Sequence, residues 1–164
     1  RLVDNLLMFS SGQRLELNRQ EHDVDLLVAQ VVENFHQRFK EKNIRIELDC
    51  AAGKQQVDRG ILEQILVNLI GNVEKYAASG GFVNIKAWIE QGRIHIRVKD
   101  GGPGIPAHMR ADIFKPFFRG RNHLTEGVSG IGIGLPLAVN LAKLHGGELR
   151  LVDSQNGACF EVIL

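Results

Sequence analysis

The chain has 164 residues, 44% of them hydrophobic and 24% charged, with a formal net charge of +1. That is enough apolar material for one domain with its own core, and too little excess charge for strong attraction to nucleic acid or an anionic membrane. No apolar run approaches the ~20 residues of a membrane span, and the two cysteines, Cys50 and Cys159, form no metal motif, so they read as small buried hydrophobes in a reduced compartment.

The opening Arg1-Leu2-Val3-Asp4 has neither an initiator methionine nor the character of a signal peptide, which reads as a cut from a longer protein. Leu2, Val3, Leu6, Leu7 and Phe9 share a helical stripe, so residues 1–14 read as the end of a helix from a larger bundle, running into linker. Residues 12–24 are polar, with a short strand expected around Leu15–Leu17. The apolar spacing Leu27/Val28, Val31/Val32, Phe35, Phe39 predicts a helix over 25–40 with Asp25 as its N-cap.

Ile44, Ile46 and Leu48 alternate with Arg45, Glu47 and Asp49, the pattern of a half-buried strand. A second long helix is expected over 59–77, with Leu62, Ile65, Leu66, Leu69 and Val73 as its inner stripe and Gly80-Gly81 as its stop. Val83–Ile89 and Ile94–Val98 alternate around Gln91-Gly92, predicting a hairpin. Residues 101–134 are loop-rich, with an apolar turn near Ile113–Phe118. Pro136 suits the first turn of a third helix that Gly146-Gly147 would cap, and Leu149–Val152 with Cys159–Leu164 make a last hairpin. Three helices and about five strands with antiparallel hairpins predict an α+β, two-layer sandwich: a mixed five-stranded sheet covered on one face by helices.

Three stretches carry chemistry. At about 100° per residue, Asn68, Asn72 and Lys75 share one face of the second helix, with Tyr76 beside them. An amide carbonyl is a neutral hard ligand suited to Mg²⁺, and Lys75 can meet phosphate as a point charge. Asp100 ends a strand and enters Gly101-Gly102-Pro103-Gly104-Ile105-Pro106, where a carboxylate can accept from an adenine amino group while the glycines let the base lie against backbone. Gly130, Gly132 and Gly134 run into the third helix at Leu135, exposing N–H groups to an anion. The loop is neither a Rossmann turn, which wants glycine at Leu135, nor a P-loop, which wants Gly-Lys-Ser/Thr. Arg119 is the best candidate among the loop cations for a phosphate contact. Each stretch taken alone also reads blandly, as a solvated helix face, an Asp-Gly turn and a hinge.

In this order the stretches resemble the catalytic ATP-binding domain of two-component sensor histidine kinases, the Bergerat fold shared with DNA gyrase, a heat-shock chaperone ATPase and the MutL mismatch-repair protein. Asn68-Leu-Ile-Gly-Asn72-Val-Glu-Lys75-Tyr76 resembles the asparagine box, and Asp100-Gly-Gly-Pro-Gly104 the first glycine box. Ile113-Phe114-Lys-Pro-Phe117-Phe118-Arg119 resembles the phenylalanine box, and Gly130-Ile-Gly-Ile-Gly-Leu135 the second glycine box.

The match covers residues 15–164. It implies ATP and Mg²⁺ as cofactors, with Asn72 on the metal, Asn68 near the phosphates and Lys75 on phosphate. Tyr76, Ile105, Phe117 and Leu135 would lie around the nucleotide, Asp100 would read adenine, and Gly102, Gly104, Gly130, Gly132 and Gly134 would let it approach. Asn68, Lys75 and Arg119 would serve the transfer itself, and 119–130 would form a lid. The implied partners are a dimerisation and phosphoacceptor domain of the same protein, upstream and absent here, and a response regulator receiver domain. The fragment is expected to be monomeric and its parent a homodimer, with the domain in the cytoplasm and the parent open to inner-membrane anchoring. His22-Asp23 is a poor phosphoacceptor, lacking the basic residue and proline that follow.

Three departures stand out: Val73 replaces a small alanine, Ile131 a hydroxyl residue, and Glu74 adds negative charge in the asparagine box. The first two bear on ATP affinity and leave room for a degenerate nucleotide-binding or protein-interaction module. An anti-sigma-factor-type serine kinase is a second alternative on the same fold. A gyrase- or chaperone-like ATPase would need a glutamate where Asn68 stands, because an amide is no general base.

Overall fold

The computed structural model describes residues 17–119 and 131–164. In chain order these form β1 (Gln20–Asp23), α1 (Val24–Glu41), β2 (Arg45–Ala51), β3 (Lys54–Val57), α2 (Arg59–Tyr76), β4 (Phe82–Glu90), β5 (Arg93–Asp100), α3 (Gly134–Leu144), β6 (Glu148–Val152) and β7 (Cys159–Ile163). The stripe expected for a bundle helix over 1–11, and the strand expected at Leu15–Leu17 apart from Leu17 itself, lie outside the described residues.

The main sheet has the order β2-β4-β5-β7-β6. β2 runs parallel to β4 and every other pair is antiparallel. A parallel neighbour requires a crossover, and the segment carrying α2 supplies it. Alternation sends Val83, Ile85, Ile96, Val98, Phe160 and Val162 to one face, all nearly or fully buried. The α1 stripe Val24, Leu27, Val28, Val31, Phe35 and Phe39, and the α2 stripe Leu62, Ile65, Leu66 and Leu69, close over them. α3 adds Leu137, Ala138 and Leu141, completing the second layer.

The other face is polar and covers itself. One rung sets Lys86, Arg97, Glu161 and Arg150 side by side. Burial pushes the Glu161 carboxyl up, but hydrogen bonds from Arg150 and Arg97 outweigh it and hold the group below its usual range.

β1 pairs antiparallel with β3, a strand pair with no counterpart in the sequence reading, and the expected cap of α1 is corrected. Apart from the buried Val57 both strands are polar and none of their other residues is buried, so no hydrophobic alternation marks them. The α1 cap is Asp23, whose Oδ1 accepts from the Leu26 N–H at 3.1 Å. Asp25 accepts instead from the Ala52 and Gly53 N–H groups at 2.9 and 3.1 Å, pinning the β2–β3 turn to the first turn of α1. The earlier start lets Val24 be fully buried.

α2 is capped by Asp58, which also joins the linker to α3. Its Oδ1 accepts from the Ile61 N–H at 3.0 Å and its Oδ2 from the Asn18 N–H at 2.9 Å. The Asp58 N–H donates to Nε2 of His145, at the end of α3, across 3.2 Å. An accepting Nε2 is a neutral imidazole. Burial, and then the nearby Arg19 charge, holds the His145 pKa below its ordinary 6.5.

The unfolded chain therefore binds a proton near pH 6.5 that the folded chain refuses, so stability present at higher pH is lost as pH falls through that region. Urea unfolding of the wild type and His145→Gln should show it: the substitution flattens the loss of stability between neutral and mildly acidic pH. An unchanged slope would exclude His145 as the group responsible.

Candidate functional site

A cleft of about 1010 Å³ opens between α2, the start of α3 and the segment after β5. From α2, Asn68, Asn72, Lys75 and Tyr76 line it, as their shared helical face requires. Asp100, Gly104 and Ile105 line the side below the sheet end, and Arg119, Gly132, Gly134 and Leu135 the opposite side. Gly130 lies outside the described residues.

Asp100 is the most constrained of these groups. It is 7% exposed. Its Oδ1 accepts from the Gly102 N–H at 2.9 Å and the Ala158 N–H at 3.0 Å. Among the described residues Oδ2 accepts no hydrogen bond, which leaves an acceptor for a donor entering the cleft. Burial raises the carboxyl pKa, against the pull of the Ala158 and Gly102 N–H groups.

The backbone pairs as well, the Asp100 N–H donating to the Ala158 carbonyl at 2.9 Å. Gly157 makes that approach possible: its φ is +73°, and a Cβ there would stand 1.8 Å from the Asp100 carbonyl oxygen. Sequence reasoning missed Gly157 and Ala158. Asn156-Gly157 signals only a turn, and nothing local ties the Ala158 that follows it to a residue 58 positions earlier.

Across the cleft, the Nδ2 of Asn68 donates to the Gln64 carbonyl at 2.9 Å. Its Oδ1 is left beside the start of α3, 3.0 Å from where a Cβ on Gly134 would be. Among the described residues no side chain caps that helix. Its first-turn N–H groups and the positive end of its dipole thus meet an amide oxygen and an open cleft, which suits an anion. Among the described residues no group of three or more His, Cys, Asp or Glu is placed to hold a metal.

Two residues expected around the nucleotide, Gly102 and Phe117, do not line the cleft. Gly102 does not form the cleft wall; it braces Asp100 from behind, and a Cβ there would stand 2.6 Å from that of Ala77. Phe117 is 62% exposed with φ +64°, and Phe118 lines the cleft in its place. The Phe117 N–H donates to the Gly132 carbonyl at 3.0 Å, which turns its ring outward and its neighbour inward. Val73 is 2% exposed at the cleft floor without filling the cleft, and Ile131 stands 39% exposed at its edge.

Helix layer, mixed sheet and flanking cleft define a two-layer sandwich of the Bergerat type. The sequence pattern of the histidine kinase-, DNA gyrase B- and HSP90-like ATPases matches residues 57–164, and the chain belongs to that family. The sensor protein CutS of Streptomyces coelicolor is 28% identical over 157 residues, covering 95% of this chain and 38% of CutS. The chain therefore spans well under half the length of that relative. Among solved structures, the histidine kinase AdeS of Acinetobacter baumannii superposes with a TM-score of 0.82 at 25% identity, over 99% of this chain and 76% of that one. Full-length ShkA, solved in complex with AMPPNP, has a TM-score of 0.82 at 30% identity, over 99% of this chain and 34% of that one.

Proposed function

We propose that this chain is the ATP-binding catalytic domain of a sensor histidine kinase. In this reading residues 15–164 bind Mg-ATP and present the γ-phosphoryl to a histidine on the dimerisation and phosphoacceptor domain of the same protein, for relay to a response regulator. Residues 1–14 are the end of that domain and its linker. The carrying observation is Asp100, which lines the cleft with one oxygen fixed by two backbone N–H groups and the other accepting no hydrogen bond among the described residues.

The adenine amino group donates to that open oxygen, and Ile105 and Leu135 offer the base apolar walls. The uncapped start of α3, Lys75 and Arg119 meet the phosphates, and Tyr76 borders them. The site fits a metal through its donor chemistry: Asn72 offers a neutral oxygen, leaving the remaining positions to water and phosphate. Mg²⁺ bound there would neutralise charge between phosphate oxygens.

Asn68 occupies the place of a water-activating base and cannot take a proton at neutral pH, so the site positions phosphate for transfer and does not promote its hydrolysis. The open cleft of about 1010 Å³ gives no support to a degenerate module. No described helix is long and apolar enough to cross a membrane. We place the domain in the cytoplasm, as a monomer alone and within a homodimer in its parent.

Calorimetric titration with a non-hydrolysable ATP analogue, with and without Mg²⁺, tests this. Micromolar binding strengthened by Mg²⁺ is expected. Asn72→Ala should remove the Mg²⁺ enhancement, about tenfold or more for a lost ligand. Absence of binding at millimolar nucleotide would overturn the proposal.

A further inference from the structure

Glu74 is an oddity of the cleft. It stands one residue before Lys75, and the two line the same cleft as Asn72. Its side chain is only 15% exposed. A partly desolvated carboxylate there repels any polyphosphate, and the repulsion grows with ligand charge.

α1 supplies the answer from outside all four sequence boxes. Nη1 of Arg38 lies 3.0 Å from Glu74 Oε2, and Nζ of Lys42 lies 3.5 Å from Oε1. Lys42 also donates to the Glu74 carbonyl at 3.1 Å. Arg38 is held in place rather than left free. Its Nη2 donates to the Asn34 carbonyl at 3.3 Å, and its guanidinium carbon lies 4.4 Å from the centre of the Phe35 ring.

We propose that Arg38 and Lys42 set the affinity of the cleft for polyphosphates by neutralising Glu74. The inference rests on the nucleotide reading above and names positioning residues for it. Arg38 acts through Glu74, not by touching the nucleotide. Loss of Arg38 takes the summed charge of Arg38, Lys42 and Glu74 from +1 to 0 beside the cleft, and loss of Glu74 as well returns it to +1.

The test is a double-mutant cycle on this chain, read by calorimetry with a non-hydrolysable ATP analogue, ADP and adenosine at low and high salt. Arg38→Ala should weaken the triphosphate about three- to tenfold, ADP less and adenosine not at all, with the grading shrinking as salt screens it. Glu74→Gln in the Arg38→Ala background should restore triphosphate affinity, and Arg38→Lys should largely keep it. Lys86→Ala removes an equal charge from the far sheet face, where Lys86 pairs with Asp49, and should change nothing.

An equal loss for all three ligands, or no loss, would overturn the proposal in favour of a packing role. Grading without rescue by Glu74→Gln would overturn it in favour of direct contact between Arg38 and phosphate. If the wild type binds adenosine with no gain from phosphates, this proposal fails while adenine recognition stands. If it binds none of the three, the nucleotide reading itself fails.

Discussion

Asp100→Asn is expected to lower ATP affinity about 10- to 100-fold while leaving the domain at least as stable as the wild type. The amide keeps an oxygen for the Gly102 and Ala158 N–H groups, so the turn survives. The group facing the cleft becomes a donor, however, and meets the donor of the adenine amino group. A hydrogen bond to a charged group is worth about 1.5–3 kcal/mol, and each 1.4 kcal/mol is about tenfold in affinity.

Stability should move the other way. The folded-state pKa of Asp100 is raised above its ordinary 3.8, chiefly by burial. Its contribution is thus fully present below about pH 3.8 and lost as pH rises through the folded value. At neutral pH the buried charge costs stability that asparagine does not, and in acid the two proteins converge. Thermal melts at neutral and acidic pH, beside calorimetry, separate the effects. Retained affinity would mean that adenine is read elsewhere.

Gly157→Ala is expected to destabilise the domain by about 2–4 kcal/mol and to abolish tight nucleotide binding. A side chain at positive φ costs about 1–2 kcal/mol. Here the new Cβ also stands 1.8 Å from the Asp100 carbonyl oxygen and 2.8 Å from Oδ1, so β5 and the loop before β7 must part. Parting them breaks the bonds that aim Asp100.

Gly53 is the control. Its φ is +61° but nothing lies within 4 Å of an added Cβ, so Gly53→Ala should show the backbone cost alone. Denaturant midpoints for the two variants, with nucleotide titrations on each, give the comparison. Equal costs would mean that Gly157 does not clamp Asp100.

Periodic elements were legible from residues alone. The α2 stripe Leu62, Ile65, Leu66, Leu69, Val73 lies in the core of a helix over Arg59–Tyr76. Gln91-Gly92 turns the β4–β5 hairpin, both residues at positive φ, as a two-residue type I′ turn requires. The face shared by Asn68, Asn72 and Lys75 follows from helical geometry and needs no tertiary information. Where burial repeats at a fixed interval, composition reports it.

Contacts between polar groups leave no such trace. β1 and β3 pair through their backbones, and apart from Val57 their side chains are polar and unburied, so their residues are free to look like loop. Asp23 and Asp25 are equal candidates for a cap until the β2–β3 turn claims Asp25. Phe117 and Phe118 are equal candidates for the cleft until the bond to Gly132 turns one outward.

The sequence by itself determined which helix bears the amides, which strand ends in the carboxylate, and that glycines open the third helix, because each is a local pattern. Only the tertiary structure decided that Ala158 and Gly157 aim Asp100, that α1 cations neutralise Glu74, and which phenylalanine faces in. Those outcomes depend on which distant group arrives at hydrogen-bonding distance, and chain spacing carries no record of that.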